Sequence, residues 1–181
     1  MTTSPDLLLT AFPPLVSVTT KVLVLGSFPG VASLRAQQYY GHPRNHFWPI
    51  LEAIWPGSPQ MPGVDSYQKR SEWLLERKIC VWDVYAACER EGSLDSDIRN
   101  GSFNDFSALT ARCPDLRAVV HNGAESFRHS SHVKTSLGAT GGAVDCVEFH
   151  RLPSTSPANA SWSFERKLAA WREVFERYGM V

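Results

Sequence analysis

The 181-residue sequence has no excess of charge of either sign, no long hydrophobic run and no closely spaced pair of cysteines. Eighteen Lys and Arg residues balance eighteen Asp and Glu residues, so no overall positive field indicates a nucleic-acid partner, and any such site has to be local. The apolar patch in residues 1–16 lacks a preceding basic segment, is interrupted by Pro13 and Pro14, and is too short to cross a bilayer. We therefore expect a cytoplasmic protein without a membrane partner.

The four cysteines form no C-x-x-C pair, and their spacing fits neither a zinc site nor an iron–sulfur cluster. We therefore predict no metal site and no cofactor. Isolated cysteines of this kind are typical of reduced thiols in a hydrophobic core. The four residues are Cys80, Cys88, Cys113 and Cys146.

Length and composition indicate one globular domain. Hydrophobic residues make up 43% of the chain and charged residues 20%, which is enough apolar material for a core and excludes the disordered and fibrous classes. There is no internal repeat, and the Gly-, Pro- and Ser-rich clusters at 56–63 and 153–161 are typical of loops inside a domain. We predict a single domain over residues 1–181, with residues 1–18 as an N-terminal extension packed on it.

Short apolar runs alternate along the chain with amphipathic helical patterns. This alternation predicts an α/β fold in which helices flank a parallel sheet on both sides. The predicted strands are 21–26, 78–84, 116–121 and 144–152. The predicted helices are 46–55, 67–78, 106–113 and 164–178, the last with Ser163 as its N-cap.

Polar or glycine-rich residues follow every predicted strand. They are "GSFPG" (26–30), "WDVYAA" (82–87), "HNGAES" (121–126) and "LPSTSPANA" (152–160). Any one of these segments is explained by a turn. In an open parallel sheet, however, ligands bind beyond the carboxyl ends of the strands, so four such exits on one edge predict a binding site there.

Three longer motifs resemble the uracil-DNA glycosylase superfamily, and in particular its hypoxanthine (deoxyinosine) branch, with mismatch-specific uracil/thymine glycosylases as cousins. The motifs are "QQYYGHPRNHFW" (37–48), "CEREGSLDSDIRN" (88–100) and "LPSTSPANASWSFERKLAAW" (152–171). The resemblance covers residues 12–178. It implies a three-layer α/β/α sandwich on a four-stranded parallel sheet, and a monomeric enzyme that extrudes a deaminated base from DNA and excises it.

The resemblance places the catalytic group at an unusual position. Most of the superfamily carries an Asp or Asn where this chain has Phe28, and a phenyl ring cannot orient water. The hypoxanthine branch replaces that group with the Asn of "HPxNxFW", which is Asn45 here. Its amide would hold the attacking water and stabilise the oxocarbenium-like sugar. An Asn before an apolar helix is also a common N-cap, and the two roles are compatible.

The same resemblance assigns the groups that bind the base. Tyr40 would stack on the base, although Tyr39 and Tyr40 also fit the pattern of core or rim aromatics. Asp83 would accept the ring N–H of hypoxanthine and repel the ring lone pair of adenine. An ion pair or cap at the strand end is the alternative role for Asp83, and uracil and xanthine offer similar N–H groups. Gly26, Ser27 and Phe28 would complete the base cradle.

Other residues are assigned to the departing base and to DNA phosphates. Backbone N–H groups of 26–30, His42 or His46 would stabilise the leaving purine, although each histidine also fits a structural role. Asn122 fits a pocket lining, a phosphate contact or a simple turn. Phosphates would be bound by Ser154, Thr155 and Ser156.

The sequence therefore predicts a monofunctional DNA glycosylase that releases hypoxanthine. No lysine is placed by a motif as an amine nucleophile, and the wedge region 157–159 holds no convincing intercalator. A uracil or mismatch glycosylase is the alternative within the class, and Phe28 speaks against it. A non-catalytic nucleotide- or DNA-binding α/β module is the alternative from another class, which would bind DNA and release no base.

Overall fold

The computed structural model describes residues 8–57, 59–141 and 144–181. The strands are β1 Leu8–Thr10, β2 Val22–Gly26, β3 Ile79–Asp83, β4 Tyr85–Glu89, β5 Arg99–Phe103, β6 Ala118–Asn122 and β7 Glu148–Leu152. The helices are α1 Val31–Ala36, α2 Phe47–Ile54, α3 Tyr67–Glu76, α4 Leu109–Arg112, α5 Ala124–Arg128, α6 Ser130–Gly138 and α7 Phe164–Arg177. Short 3₁₀ turns lie at Asp95–Asp97 and Val144–Cys146.

A four-stranded parallel sheet in the order β3-β2-β6-β7 forms the centre of the domain. Its register sets the strand ends side by side: Gly26 lies opposite Asp83, and Asn122 lies opposite Leu152. The segments that follow these strands therefore leave the sheet at the same edge. The predicted four-stranded parallel sheet is confirmed.

Helices cover both faces of this sheet, because alternate residues of each buried strand point to opposite sides. Val22 and Val24 pack with the apolar residues of α2, α3 and α7. Leu23 and Leu25 pack with those of α4 and α6 on the other face. The predicted three-layer α/β/α sandwich is thus confirmed. The helices predicted at 46–55, 67–78 and 164–178 agree with α2, α3 and α7 to within two residues.

A second sheet was not predicted. The chain leaves the central sheet after Asp83 and continues almost at once as β4, which pairs in antiparallel fashion with β1 and β5. Every residue of β5 is exposed, so its sequence lacks the apolar alternation by which a strand is recognised. The inner side of this sheet packs Tyr85 and Cys88 against Phe28.

The described part of the predicted N-terminal extension, residues 8–18, packs on the rest of the domain. β1 pairs with β4, Leu15 forms a bridge with Val81, and the ring of Phe12 meets that of Tyr39 edge-on at 5.2 Å. Residues 1–7 of the extension lie outside the described residues.

Two segments differ from their predicted form. The strand predicted at 144–152 begins only at Glu148, because residues 144–146 form a 3₁₀ turn, and the helix predicted at 106–113 is confined to Leu109–Arg112. Cys146 lies in that turn and is exposed, so the prediction that it is a core thiol is wrong. The other three cysteines are buried and unbridged as expected. None of the helices in the described ranges has the length and hydrophobicity that a membrane span requires.

Candidate active site

A cavity of about 430 Å³ opens at the carboxyl edge of the central sheet. This volume lies within the range of pockets that bind small organic ligands, and a purine base is a ligand of that size. His42 lines the cavity and His46 does not. The ten residues that the sequence assigned to catalysis, base binding and phosphate contacts all line it: Gly26, Ser27, Phe28, Tyr40, Asn45, Asp83, Asn122, Ser154, Thr155 and Ser156. The parallel register brings them together from positions spread over most of the chain.

Gly26 leaves the space in which two polar groups approach the end of β2. A Cβ atom added at Gly26 would lie 2.4 Å from Oδ1 of Asp83 and 3.6 Å from the hydroxyl oxygen of Tyr40. No side chain larger than hydrogen fits at that position unless Asp83 moves. The glycine thus allows the carboxyl group and the phenol to reach one end of the cavity.

Asp83 is buried, with 4% of its surface exposed, and no partner among the described residues bonds its buried Oδ2. Burial, followed by the negative charge of Asp95, raises the pKa of Asp83 to about 8, and the positive charge of Arg90 opposes the shift. A pKa raised this far favours the carboxylic acid form at neutral pH. The sequence predicts a carboxylate that only accepts hydrogen bonds, whereas the acid form also donates one.

The two tyrosines have different surroundings. Tyr39 is a core residue with 3% of its surface exposed, and its hydroxyl donates to the carbonyl oxygen of Pro13 at 3.0 Å. Tyr40 has a positive φ of 54°, and one face of its ring stacks on Phe47 at a centroid distance of 3.9 Å. Its buried hydroxyl has no hydrogen-bond partner among the described residues. Burial and the nearby Asp83 both raise the pKa of this phenol, so Tyr40 stays a neutral donor.

Asn45 lies on the cavity wall just before α2. Its Oδ1 accepts a hydrogen bond from the backbone N–H of Phe47 at 2.9 Å, which satisfies a donor at the start of the helix. His46 is the N-cap of α2, so the expectation that Asn45 is the N-cap is wrong, and Asn45 supports the helix start from one residue further out. The same bond fixes the orientation of the side-chain amide at the cavity, as a positioned polar group requires.

The two histidines of the "GHPRNH" segment differ in position: His42 lines the cavity and His46 does not. Nδ1 of His42 accepts the backbone N–H of Arg44 at 3.1 Å and so holds the loop. The ring of His46 is not part of the cavity lining and packs edge-on against Phe164 at 5.3 Å. Burial lowers the pKa of His46. The packing of His46 thus favours its structural role, while His42 combines a loop contact with a place in the cavity lining.

The loop after β7 is fixed to the end of β6. Nδ2 of Asn122 donates to Oγ1 of Thr155, and the backbone N–H of Thr155 donates to Oδ1 of Asn122, each at 2.9 Å. Gly123 follows with a φ of 104°, and a Cβ atom there would lie 3.0 Å from Cβ of Ser154. Thr155 is fully buried, so Ser154 and Ser156 are the hydroxyls of this loop closer to solvent.

Sequence reasoning missed one wall of the cavity, which is formed by residues 93–96. The hydroxyl of Ser27 donates to Oδ1 of Asp95 at 2.6 Å and joins this wall to the loop after β2. The segment belongs to the "CEREGSLDSDIRN" motif, which supported the family resemblance and received no role. No local pattern marks its place at the cavity, because the contacts that position it are made with Ser27 and Val31, which are distant in sequence.

The fold and the cavity define a class of protein: an α/β/α domain with a base-sized cavity, lined by hydrogen-bonding groups, at the edge of a parallel sheet. The family model described as the uracil DNA glycosylase superfamily matches residues 13–176. The chain belongs to that superfamily, and it is a DNA glycosylase by class.

Two curated relatives are similar over nearly the whole chain, and both are called hypoxanthine DNA glycosylase. The Methanosarcina barkeri protein is 39% identical over 92% of this chain and 97% of its own length. The Methanosarcina acetivorans protein is 38% identical over 91% of this chain and 96% of its own length. A solution NMR structure of a Methanosarcina acetivorans protein, described as a candidate uracil DNA glycosylase, matches with a TM-score of 0.75 and 35% identity, covering 94% of this chain and 98% of that one.

Proposed function

We propose that this protein excises hypoxanthine from DNA by hydrolysis of the N-glycosidic bond. The observation that carries the proposal is the cavity that unites Asn45, Tyr40 and Asp83 while Phe28 occupies the usual position of the catalytic group. The names of the two Methanosarcina relatives support the choice of base. Membership in a glycosylase family favours an enzyme over a non-catalytic binding module.

Base recognition is assigned to Tyr40 and Asp83. The ring of Tyr40 stacks on the base, which contributes about 1–3 kcal/mol. Hypoxanthine presents a ring N–H beside a carbonyl. The carboxylic acid of Asp83 can accept a hydrogen bond from the N–H through its carbonyl oxygen and donate one to the base carbonyl through its hydroxyl. Adenine presents a ring acceptor beside an amino donor and requires the proton on the other carboxyl oxygen. Which oxygen of Asp83 carries the proton therefore decides between the two bases.

Cleavage is assigned to Asn45 and a water molecule. The C1′–N9 bond breaks with its electron pair remaining on the purine, while the water oxygen bonds to C1′ and loses a proton to solvent. The amide of Asn45, oriented by its hydrogen bond to the start of α2, holds that water. The phosphates that flank the extruded nucleotide are assigned to Ser154 and Ser156, while the fully buried Thr155 holds the loop through Asn122.

The proposed enzyme acts as a monomer on DNA with deaminated bases and does not cut the strand. An amine nucleophile would require a lysine at the cavity, and no lysine is among the described residues that line it. Lys167 has only 1% of its surface exposed, and its Nζ is 3.4 Å from the carbonyl oxygen of Ser156. Lys167 therefore stabilises the backbone of this loop and does not line the cavity.

A second candidate is uracil excision, which the description of the matching NMR structure favours. Uracil also places a ring N–H beside a carbonyl, so Asp83 can bind it in the same way. Hypoxanthine and uracil differ as leaving groups. For a pyrimidine, Phe28 does not provide the water-activating side chain that most of the superfamily carries at this position.

The test is single-turnover base release from matched oligonucleotides that carry inosine, xanthine or uracil. We expect inosine to be processed fastest and Asn45→Ala to lose at least about 100-fold in rate, the scale of one positioned catalytic group. Gln68→Ala, which removes an exposed amide on α3, is the matched control. Full inosine excision by Asn45→Ala would contradict the catalytic assignment, and faster release of uracil would favour the second candidate.

A further inference from the structure

One large apolar side chain lies exposed at the rim of the cavity. Leu94 has 53% of its surface exposed and lines the cavity through the wall formed by residues 93–96. The other exposed large hydrophobic residues in the described ranges lie away from the cavity: Leu8, Val18, Val64, Phe103 and Val181. A single exposed leucine is ordinary on a protein surface, so its position and support decide whether it has a role.

Hydrogen bonds on both sides of Leu94 fix its position. The residue before it, Ser93, accepts the backbone N–H of Val31 through Oγ at 2.9 Å. The residue after it, Asp95, accepts the hydroxyl of Ser27 at 2.6 Å. The loop after β2 therefore holds Leu94 from two directions, while the leucine side chain itself remains exposed.

A buried arginine adds a third connection between the same two segments. Arg90 has 3% of its surface exposed, and its guanidinium group lies over the ring of Phe28 at 5.1 Å. Its Nε donates to the carbonyl oxygen of Gly92 at 3.1 Å, and its Nη2 donates to that of Pro29. Hydrogen bonds from a charged donor are stronger than neutral ones, so Arg90 braces the base of the turn that carries Leu94.

An exposed, braced leucine next to a base pocket matches a physical need of base extrusion. Removing a nucleotide from the stack leaves a gap between its neighbours, and an apolar side chain that enters the gap loses its contact with water and replaces part of the lost stacking. The opposite rim of the cavity, Pro157, Ala158 and Asn159, offers a proline, a methyl group and a polar amide. Leu94 has the larger apolar side chain.

We propose that Leu94 is the wedge that enters the duplex and keeps the target nucleotide in the cavity. The proposal rests on the proposed function in one respect, because it requires the extruded base to occupy this cavity. Leu94 is a positioning residue: it fills the gap in duplex DNA and makes no contact with the reacting atoms. Its contribution is therefore confined to substrates in which a stack has to be opened.

The first test compares duplex with single-stranded DNA. We expect Leu94→Ala to slow single-turnover inosine release from duplex by about tenfold or more, the effect of roughly 1.4 kcal/mol, and to leave release from single strands within about twofold. Leu94→Met, which keeps an apolar side chain of similar size, is expected to restore duplex activity. Val64→Ala, at an exposed valine away from the cavity, is the matched control. Equal loss on both substrates, or no loss on duplex, would overturn the wedge.

The second test separates this proposal from the choice of base. A 2-aminopurine placed beside inosine in a duplex becomes fluorescent when its stacking partner is removed, whether or not a base is released. We expect the wild type to raise this fluorescence and Leu94→Ala to raise it much less. A rise without base release would contradict the proposed function alone. No rise with the wild type, or the same rise with Leu94→Ala, would contradict the wedge.

Discussion

The side chain of Asn122 and the residue Thr155 form a reciprocal pair of hydrogen bonds, each 2.9 Å long. Both residues are buried, at 8% and 0% exposed, and the carbonyl oxygen of Thr155 also accepts the backbone N–H of His46 at 3.0 Å. Three segments of the cavity wall thus meet at Thr155: the end of β6, the loop after β7 and the start of α2.

We expect Asn122→Ala to loosen the loop that is assigned to DNA phosphates. The substitution leaves a buried hydroxyl and a buried backbone N–H without their partner, which costs about 1–3 kcal/mol of unfolding free energy. Thr155→Val removes only the bond to Oγ1 and should cost less. Urea unfolding and the affinity for inosine duplex check the two variants. Equal stability of Asn122→Ala and wild type would contradict this account of the pair.

Gly26→Ala tests the space at the end of β2. The new methyl group would lie 2.4 Å from Oδ1 of Asp83, so the carboxyl group has to move and the cavity becomes smaller at that end. We expect inosine release to fall at least about 100-fold, since small misplacements of binding groups cost that much. Gly57→Ala, where a Cβ atom meets no neighbour within 4 Å, is the control. A Gly26→Ala variant with unchanged kcat and KM would exclude a role for this end of the cavity.

The sequence was sufficient to predict which residues meet, because parallel strands end at one edge. Gly26, Asp83 and Asn122 each close a strand of the central sheet, and their register alone brings them into one cavity. Asn45 could be placed only through the family motif, since an Asn before an apolar helix also has a purely structural explanation.

Three features depended on tertiary structure and could not be predicted from local patterns. The raised pKa of Asp83 results first from burial in the tertiary structure and then from the charge of Asp95. The β5 strand is wholly exposed and shows no apolar alternation. The wall at 93–96 is defined by its bonds to Ser27 and Val31, and nothing in the residues themselves indicates those partners.

The two roles of Asn45 are separable by substitution. Asn45→Ala removes the acceptor for the N–H of Phe47 and is expected to cost about 1 kcal/mol of stability together with most of the activity. Asn45→Ser keeps a short hydroxyl acceptor near the helix start and should recover most of the stability. It lacks the amide, so its base release should stay as low as that of Asn45→Ala. Thermal unfolding and single-turnover rates measure the two effects. Recovery of the rate together with stability would mean that Asn45 only supports the helix.

Asp83→Asn should change how stability depends on pH. The pKa of Asp83 is about 8 in the folded protein and near 3.8 when the chain is unfolded. Between these values the folded state holds a proton that the unfolded state has lost. The contribution of Asp83 to the free energy of unfolding is therefore full below pH 4. It is lost as pH rises to 8, at up to about 1.4 kcal/mol per pH unit. An asparagine has the same shape and no such proton. The free energy of unfolding of the variant, relative to that of the wild type, should therefore increase as pH rises from 5 to 8 and stay at that level above pH 8.

Urea unfolding of the wild type and Asp83→Asn at intervals from pH 5 to pH 9 measures this difference. Burial lowers the pKa of His121 to about 4, so that residue makes the protein less stable as pH falls below about 6.5. His121 is present in both proteins, and its contribution cancels in the difference between them. What remains is the proton on Asp83. Unfolding free energies that stay parallel over the whole range would show that Asp83 is ionised in the folded state, and the base would then be read by a carboxylate that only accepts hydrogen bonds.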